Sequence, residues 1–189
     1  RGTLIALLAA AAALAGCDNS WRTQKAVEHY VAGQMAMDRN DYEAALAELA
    51  KAVEFDWKLS VAYTAMGDIH RREGDFGQAA WSYQRACEAN PYDFRPHYNL
   101  GVTYQALAAA AETARSATGY IRKAARVYLR AVTINPKDFD ANLNLSACYF
   151  QQGKLELAER YCQCAVEAEP DNPHGHSNLG IIYDAQGRP

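Results

Sequence analysis

The feature that most constrains this chain is a pattern of small residues that returns every 34 positions. Gly33, Ala45 and Ala52 recur as Gly67, Ala79 and Ala86. The clearest copy is Val61 to Pro91, VAYTAMGDIHRREGDFGQAAWSYQRACEANP. A period of this length means a stack of like units, each too small to bury its apolar face alone. Gly67, Ala79 and Ala86 are expected where two antiparallel helices approach closely, with Tyr63, Met66 and Tyr83 filling the space around them. Gly74 is expected to end the first helix in a left-handed conformation. Pro91 cannot continue the second helix and pushes Asn90 out of helical geometry.

The copies follow in order. The first, 26–59, has Asn40 in the place of Gly74, but Ala36 and Trp57 stand where an aromatic residue and a proline are expected. The second is 60–93. The third, 94–138, carries Leu100-Gly101, Tyr104, Ala124, Tyr128, Ala131 and Pro136. Gly101 to Ala124 is 23 residues where Gly67 to Ala79 is 12, so 11 residues are inserted, roughly Ala108 to Thr118. The inserted stretch is alanine-rich. It predicts two helices longer by one to two turns, joined somewhere in Arg115 to Gly119. A tolerated insertion is the reading, with a docking element as the alternative. The fourth copy, 139–172, shows Leu145-Ser146, Tyr149, Gly153, Ala158, Ala165 and Pro170. A partial fifth, 173–189, shows Leu179-Gly180, Tyr183 and Gly187. The chain begins at Arg1 rather than Met, and together with the incomplete last copy this is expected of a piece of a longer protein.

Tyr63, Met66-Gly67, His70, Ala79, Tyr83, Ala86 and Pro91 resemble the tetratricopeptide repeat (TPR), whose first helix reads W-x2-L-G-x2-Y. Tyr63 and His70 depart from that pattern. The resemblance covers nearly everything after Lys25 and implies an all-α fold, a right-handed α-solenoid of helix-turn-helix repeats. In the family, positions 2, 5, 6, 9, 12 and 13 of each first helix face the groove. Position 6 reads Val31, Ala65, Asn99, Asn144 and Asn178. Asn99, Asn144 and Asn178 resemble the asparagine ladder of the TPR superhelix in O-linked N-acetylglucosamine transferases. An asparagine amide supplies both donors and an acceptor, matching the backbone of an extended peptide. A merely solvated asparagine is the competing reading. Other groove positions add Arg71, Arg72 and Arg95, with Tyr98 and Phe150 as apolar contacts. The two-carboxylate clamp of chaperone-binding TPR proteins is not reproduced, since Tyr30 and Gln34 stand at its positions.

The N-terminus reads as an address. Leu4 to Ala15 is an unbroken apolar run of twelve residues, too short at about 1.5 Å per residue to cross a ~30 Å bilayer core. With Arg1 before it, residues 1–16 read as a secretory signal peptide. Leu14-Ala15-Gly16-Cys17 resembles the lipobox of bacterial lipoproteins, which implies lipidation of Cys17 and a membrane anchor. An ordinary cleaved signal is the alternative. In enterobacteria, Asp18 would resemble an inner-membrane retention signal. Residues 17–25 are expected to be a linker, of which the eight residues after Cys17 reach at most about 28 Å if extended.

The formal net charge of -3 and pI near 6.0 argue against nucleic acid as the partner. No phosphate loop, nucleophile elbow or HExxH motif appears, so no catalytic residues and no cofactor are expected. Cys162-x-Cys164 points to two faces of one helix, and His174 with His176 lacks a completing ligand, so no metal site is expected. An oxidising compartment would permit a Cys148–Cys162 disulfide. The resulting expectation is a non-enzymatic scaffold, lipid-anchored on the periplasmic side of a bacterial envelope. It would bind an extended segment of a partner protein and support assembly of an envelope complex. TPR lipoproteins of pilus assembly and outer-membrane protein insertion are similar in architecture. The alternative is the substrate-recruiting part of a larger, glycosyltransferase-like enzyme.

Overall fold

The structure, a computed structural model, describes the backbone of residues 2–188 and the side chains of residues 20–188. Among these the chain forms nine helices: α1 (Gly2–Asp38), α2 (Tyr42–Phe55), α3 (Ser60–Arg72), α4 (Phe76–Ala89), α5 (Phe94–Ala109), α6 (Ala114–Ile134), α7 (Phe139–Gln151), α8 (Leu155–Ala168) and α9 (Pro173–Ala185). Each helix packs on the next in sequence. The tightest association is within the pairs α1/α2, α3/α4, α5/α6 and α7/α8.

The small residues sit where their size is required. Ala45, Ala79, Ala124 and Ala158 are fully buried, as are Ala52, Ala86, Ala131 and Ala165. A Cβ on Gly67 would lie 2.6 Å from the Tyr83 ring, and one on Gly101 only 2.5 Å from the Tyr128 ring. Tyr83 and Tyr128 are completely enclosed. In the fourth repeat the serine at this position, Ser146, donates to the Ala158 carbonyl at 2.7 Å across the same interface.

First helices end at left-handed residues. Asn40 has φ 58°, Gly74 81°, Gly153 70° and Gly187 70°. The third repeat has Ala108 at that position, so nothing stops α5 there and it continues to Ala109. The long helix α6 then starts where Thr113 accepts the Ser116 N–H at 3.1 Å. The insertion lengthens both helices, as expected. The connection, however, falls between Ala109 and Ala114 rather than at Arg115 to Gly119, because the Thr113 cap wins over the glycine, which lies inside α6.

Second helices end alike. The cap N–H of Asp56, Asn90, Asn135 and Glu169 reaches the carbonyl of Ala52, Ala86, Ala131 and Ala165 in turn. Asp56 (φ -138°, ψ 96°) matches Asn90 (φ -138°, ψ 93°), although Trp57 rather than proline follows it. The proline reinforces this stop without being needed for it.

The segment expected to be an extended linker is helical, since α1 runs without a break to Asp38. No proline interrupts it. Its side chains tie it to the first pair: the Trp21 ring meets Phe55 edge-on at 5.7 Å, and the Arg22 guanidinium reaches the Phe55 and Glu54 carbonyls at the end of α2. As helix, those eight residues advance only about 12 Å. The side chain of Cys17 and the apolar run before it lie outside the described side chains. Among the described residues no helix is long and apolar enough to cross a membrane.

Candidate functional site

Two hollows open between the first helices of neighbouring repeats, and they hold six of the eight groove residues read from the sequence. The larger, about 470 Å³, lies among α1, α3 and α5 with Tyr42 of α2 at its edge. Arg71, Arg72, Arg95 and Asn99 line it, with Asp68 and Tyr42. The smaller, about 160 Å³, lies between α7 and α9. Phe150 and Asn178 line it with Ala147 and the half-exposed Ile181. A third hollow of about 130 Å³, lined by Tyr30, Val61 and Met37, adjoins the first through Asp68 and Arg95.

Tyr98 and Asn144 occupy the seam of α5 and α7 instead. Tyr98 stacks on Phe94 at 5.7 Å and meets Tyr128 edge-on at 5.9 Å, so it is fastened to the core. Burial pushes its phenol up, and the carboxylates Asp140 and Asp138 add to this; a hydrogen bond with Asn144 opposes them. The three asparagines therefore do not present equal, free amides. Asn99 donates to Asp68 at 3.1 Å, Asn144 engages Tyr98, and Asn178 sits beside apolar side chains.

Asp68 organises the larger cleft, and the sequence reading passed over it. Its carboxylate accepts from the Tyr83 hydroxyl at 2.6 Å, from Asn99 and from Arg95 at 2.6 Å. Arg71 donates to the Tyr83 hydroxyl at 3.3 Å. Arg72 donates to the Tyr42 hydroxyl at 2.6 Å and lies over that ring. A signal was present. Asp68 is position 9 of its repeat, one helical turn from Arg71 and Arg72, and so shares their face.

Cys148 and Cys162 are buried free thiols and form no disulfide with each other. Their sulfurs have different neighbours: Gln105 of α5 lies 3.7 Å from Cys148 Sγ, and the Gly175 carbonyl of α9 lies 3.4 Å from Cys162 Sγ, which also hydrogen-bonds Ser146 of α7. Burial pushes the Cys148 thiol up to about 12, far from a reactive thiolate. Among the described residues no three of His, Cys, Asp and Glu come together as a metal-holding group.

Stacked antiparallel pairs with a groove between successive first helices define a helical-repeat solenoid. The particular family follows from comparison. The family model described as TPR repeat matches residues 67–107, and the one described as tetratricopeptide repeat matches residues 118–179. The chain is a TPR protein. No curated protein matches it significantly. Among solved structures it is similar to YrrB, described as a TPR protein with an unusual peptide-binding site, at 22% identity and TM-score 0.72 over 86% of this chain and 78% of that one. It is also similar to TTC0263, a thermophilic TPR protein of Thermus thermophilus (23%, TM-score 0.60, 86% and 84% covered). MamA of Desulfovibrio magneticus RS-1 is a third (21%, TM-score 0.69, 86% and 86% covered). At these identities the likeness is one of fold.

Proposed function

We propose that this protein is a membrane-anchored TPR scaffold that binds an extended segment of a partner protein along the first helices and supports assembly of a cell-envelope complex. The observation that carries the binding part is the row of hollows from α1 to α9, in which polar amides and guanidinium groups alternate with apolar seats. Asn99, Asn144 and Asn178 are the backbone-reading groups. Arg71, Arg72 and Arg95 supply charge, and Tyr98 and Phe150 supply apolar contact. The likeness in fold to YrrB, whose description names a peptide-binding site, supports the same reading.

The test is capture of partners from solubilised membranes by the wild type, run beside an Asn99→Ala, Asn144→Ala, Asn178→Ala variant that keeps its circular dichroism. The variant is expected to lose a partner that the wild type holds. Identical captures by both would refute the groove as the binding surface.

The anchor rests on Leu14-Ala15-Gly16-Cys17 in the sequence. A tagged wild-type protein is expected to sediment with membranes, and Cys17→Ser to appear in the soluble fraction. Equal sedimentation of both would overturn lipidation at Cys17.

A further inference from the structure

We infer that the cleft among α1, α3 and α5 is the seat of an acidic side chain of the bound segment, with Arg71 and Arg72 as its counter-ions and Asp68 as an internal anion that opposes it. This rests on the groove reading above and names the ligand chemistry of its largest hollow. Three guanidinium groups and one carboxylate line the cleft, a local charge of 3 − 1 = +2, in a chain whose formal net charge is -3. The cleft is therefore locally positive although the chain as a whole is negative.

The three arginines are not equivalent. Arg95 is paired with Asp68 at 2.6 Å. Among the described residues, Arg71 and Arg72 have no carboxylate within ion-pair distance, and their contacts are the phenols of Tyr83 and Tyr42. A phenol orients a guanidinium without neutralising it. Each guanidinium carries five N–H donors in a rigid fork, so most remain available, and a carboxylate matches two at once. Ile69 and Met37 form the apolar part of the wall and keep the local dielectric below that of water, which strengthens the attraction.

Two further acids lie near the cleft. Glu73 lies 3.7 Å from His70, and Asp93 caps α5 by accepting the Arg95 N–H. Asp68 is held by three donors and is largely buried. It fixes Arg95 and Asn99 in place, and its charge opposes any second carboxylate entering the cleft. Removing that charge while keeping the side chain's shape must then improve binding of an acidic segment relative to a neutral one. That sign is opposite to the usual effect of damaging a site.

The experiment is fluorescence anisotropy with two labelled extended peptides, one alternating alanine with glutamate and its twin with glutamine. The wild type is expected to bind the glutamate peptide about tenfold more tightly, with a preference that shrinks as salt is added. Arg71→Gln with Arg72→Gln is expected to abolish the preference. Arg72→Gln alone, which disturbs only the contact with Tyr42, is expected to reduce it about threefold and serves if the double variant misfolds. Asp68→Asn is expected to widen the preference for the glutamate peptide over the glutamine peptide about fivefold. Equal affinities in the wild type, no binding of the glutamate peptide, or a preference unmoved or narrowed by Asp68→Asn would each overturn the proposal. If these fail while the triple asparagine variant still loses its captured partner, the groove stands and its acidic seat does not.

Discussion

Replacing Tyr128 by alanine is expected to cost about 3–5 kcal/mol of stability, the range for deleting a fully enclosed aromatic ring. Tyr128 lies within the α5/α6 pair, has no solvent exposure, and packs among Leu100, Ala124 and Leu145 of the main core. Its ring lies against Gly101 and edge-on to Tyr98, and its hydroxyl donates to Gln105 Oε1 at 2.7 Å. Truncation leaves a cavity spanning α5 to α7 and an amide oxygen without its donor. Against a typical total of about 5–15 kcal/mol, that is a large share. Tyr128→Phe keeps the ring and loses only the hydrogen bond, so its expected cost is about 1 kcal/mol. Urea denaturation followed by circular dichroism reads both. In a solenoid, stability passes through nearest-neighbour interfaces, so Tyr128→Ala should also separate unfolding of α1–α4 from that of α7–α9. A loss for Tyr128→Ala no larger than that for Tyr128→Phe would show that the cavity closes and that this packing argument is wrong.

Gly101→Ala is expected to destabilise by about 1–3 kcal/mol through overpacking, even though alanine is the better helix former by about 1 kcal/mol. The new methyl would sit 2.5 Å from Tyr128 Cε1 and 2.6 Å from its Cζ. Those are atoms of a ring enclosed on all sides and held at its hydroxyl, so it cannot withdraw without moving α6. Gly180 supplies the control. It occupies the same repeat position in α9, but a Cβ there meets nothing within 4 Å. Gly180→Ala should therefore gain up to about 1 kcal/mol from helix propensity alone. Opposite signs for the two substitutions in the same urea titration are the expected outcome. Matching signs would mean that helix propensity, not interhelical contact, sets the value of glycine at this position.

The third repeat shows where legibility stopped. That α5 and α6 would both be longer followed from the 11-residue excess. Where they would turn did not, because an alanine-rich stretch offers helix everywhere and the decision fell to a single cap at Thr113. The first repeat shows the reverse. Trp57 broke the proline pattern in the sequence, yet Asp56 stops α2 with the geometry that Asn90 gives α4. The groove was half legible. Its periodicity located Arg71, Arg72, Arg95 and Asn99 on one surface. It did not show that Asn99 and Arg95 are already engaged by Asp68, because that depends on side chains from α3, α4 and α5 meeting in space.

The sequence by itself determined the repeat length, the fold class, the close approaches at Gly67 and Gly101, and the left-handed stops at Asn40, Gly74, Gly153 and Gly187. All of these are local or strictly periodic, so each follows from a residue and its distance along the chain. Only the tertiary structure decided that residues 18–25 continue α1 as helix, held by Trp21 and Arg22 on the end of α2. It also decided that the thiols of Cys148 and Cys162 contact different neighbours, and that, among the described residues, Arg71 and Arg72 have no carboxylate within ion-pair distance. Those outcomes rest on which side chains meet across helices far apart in the chain, a separation over which packing geometry, not sequence spacing, selects the partners.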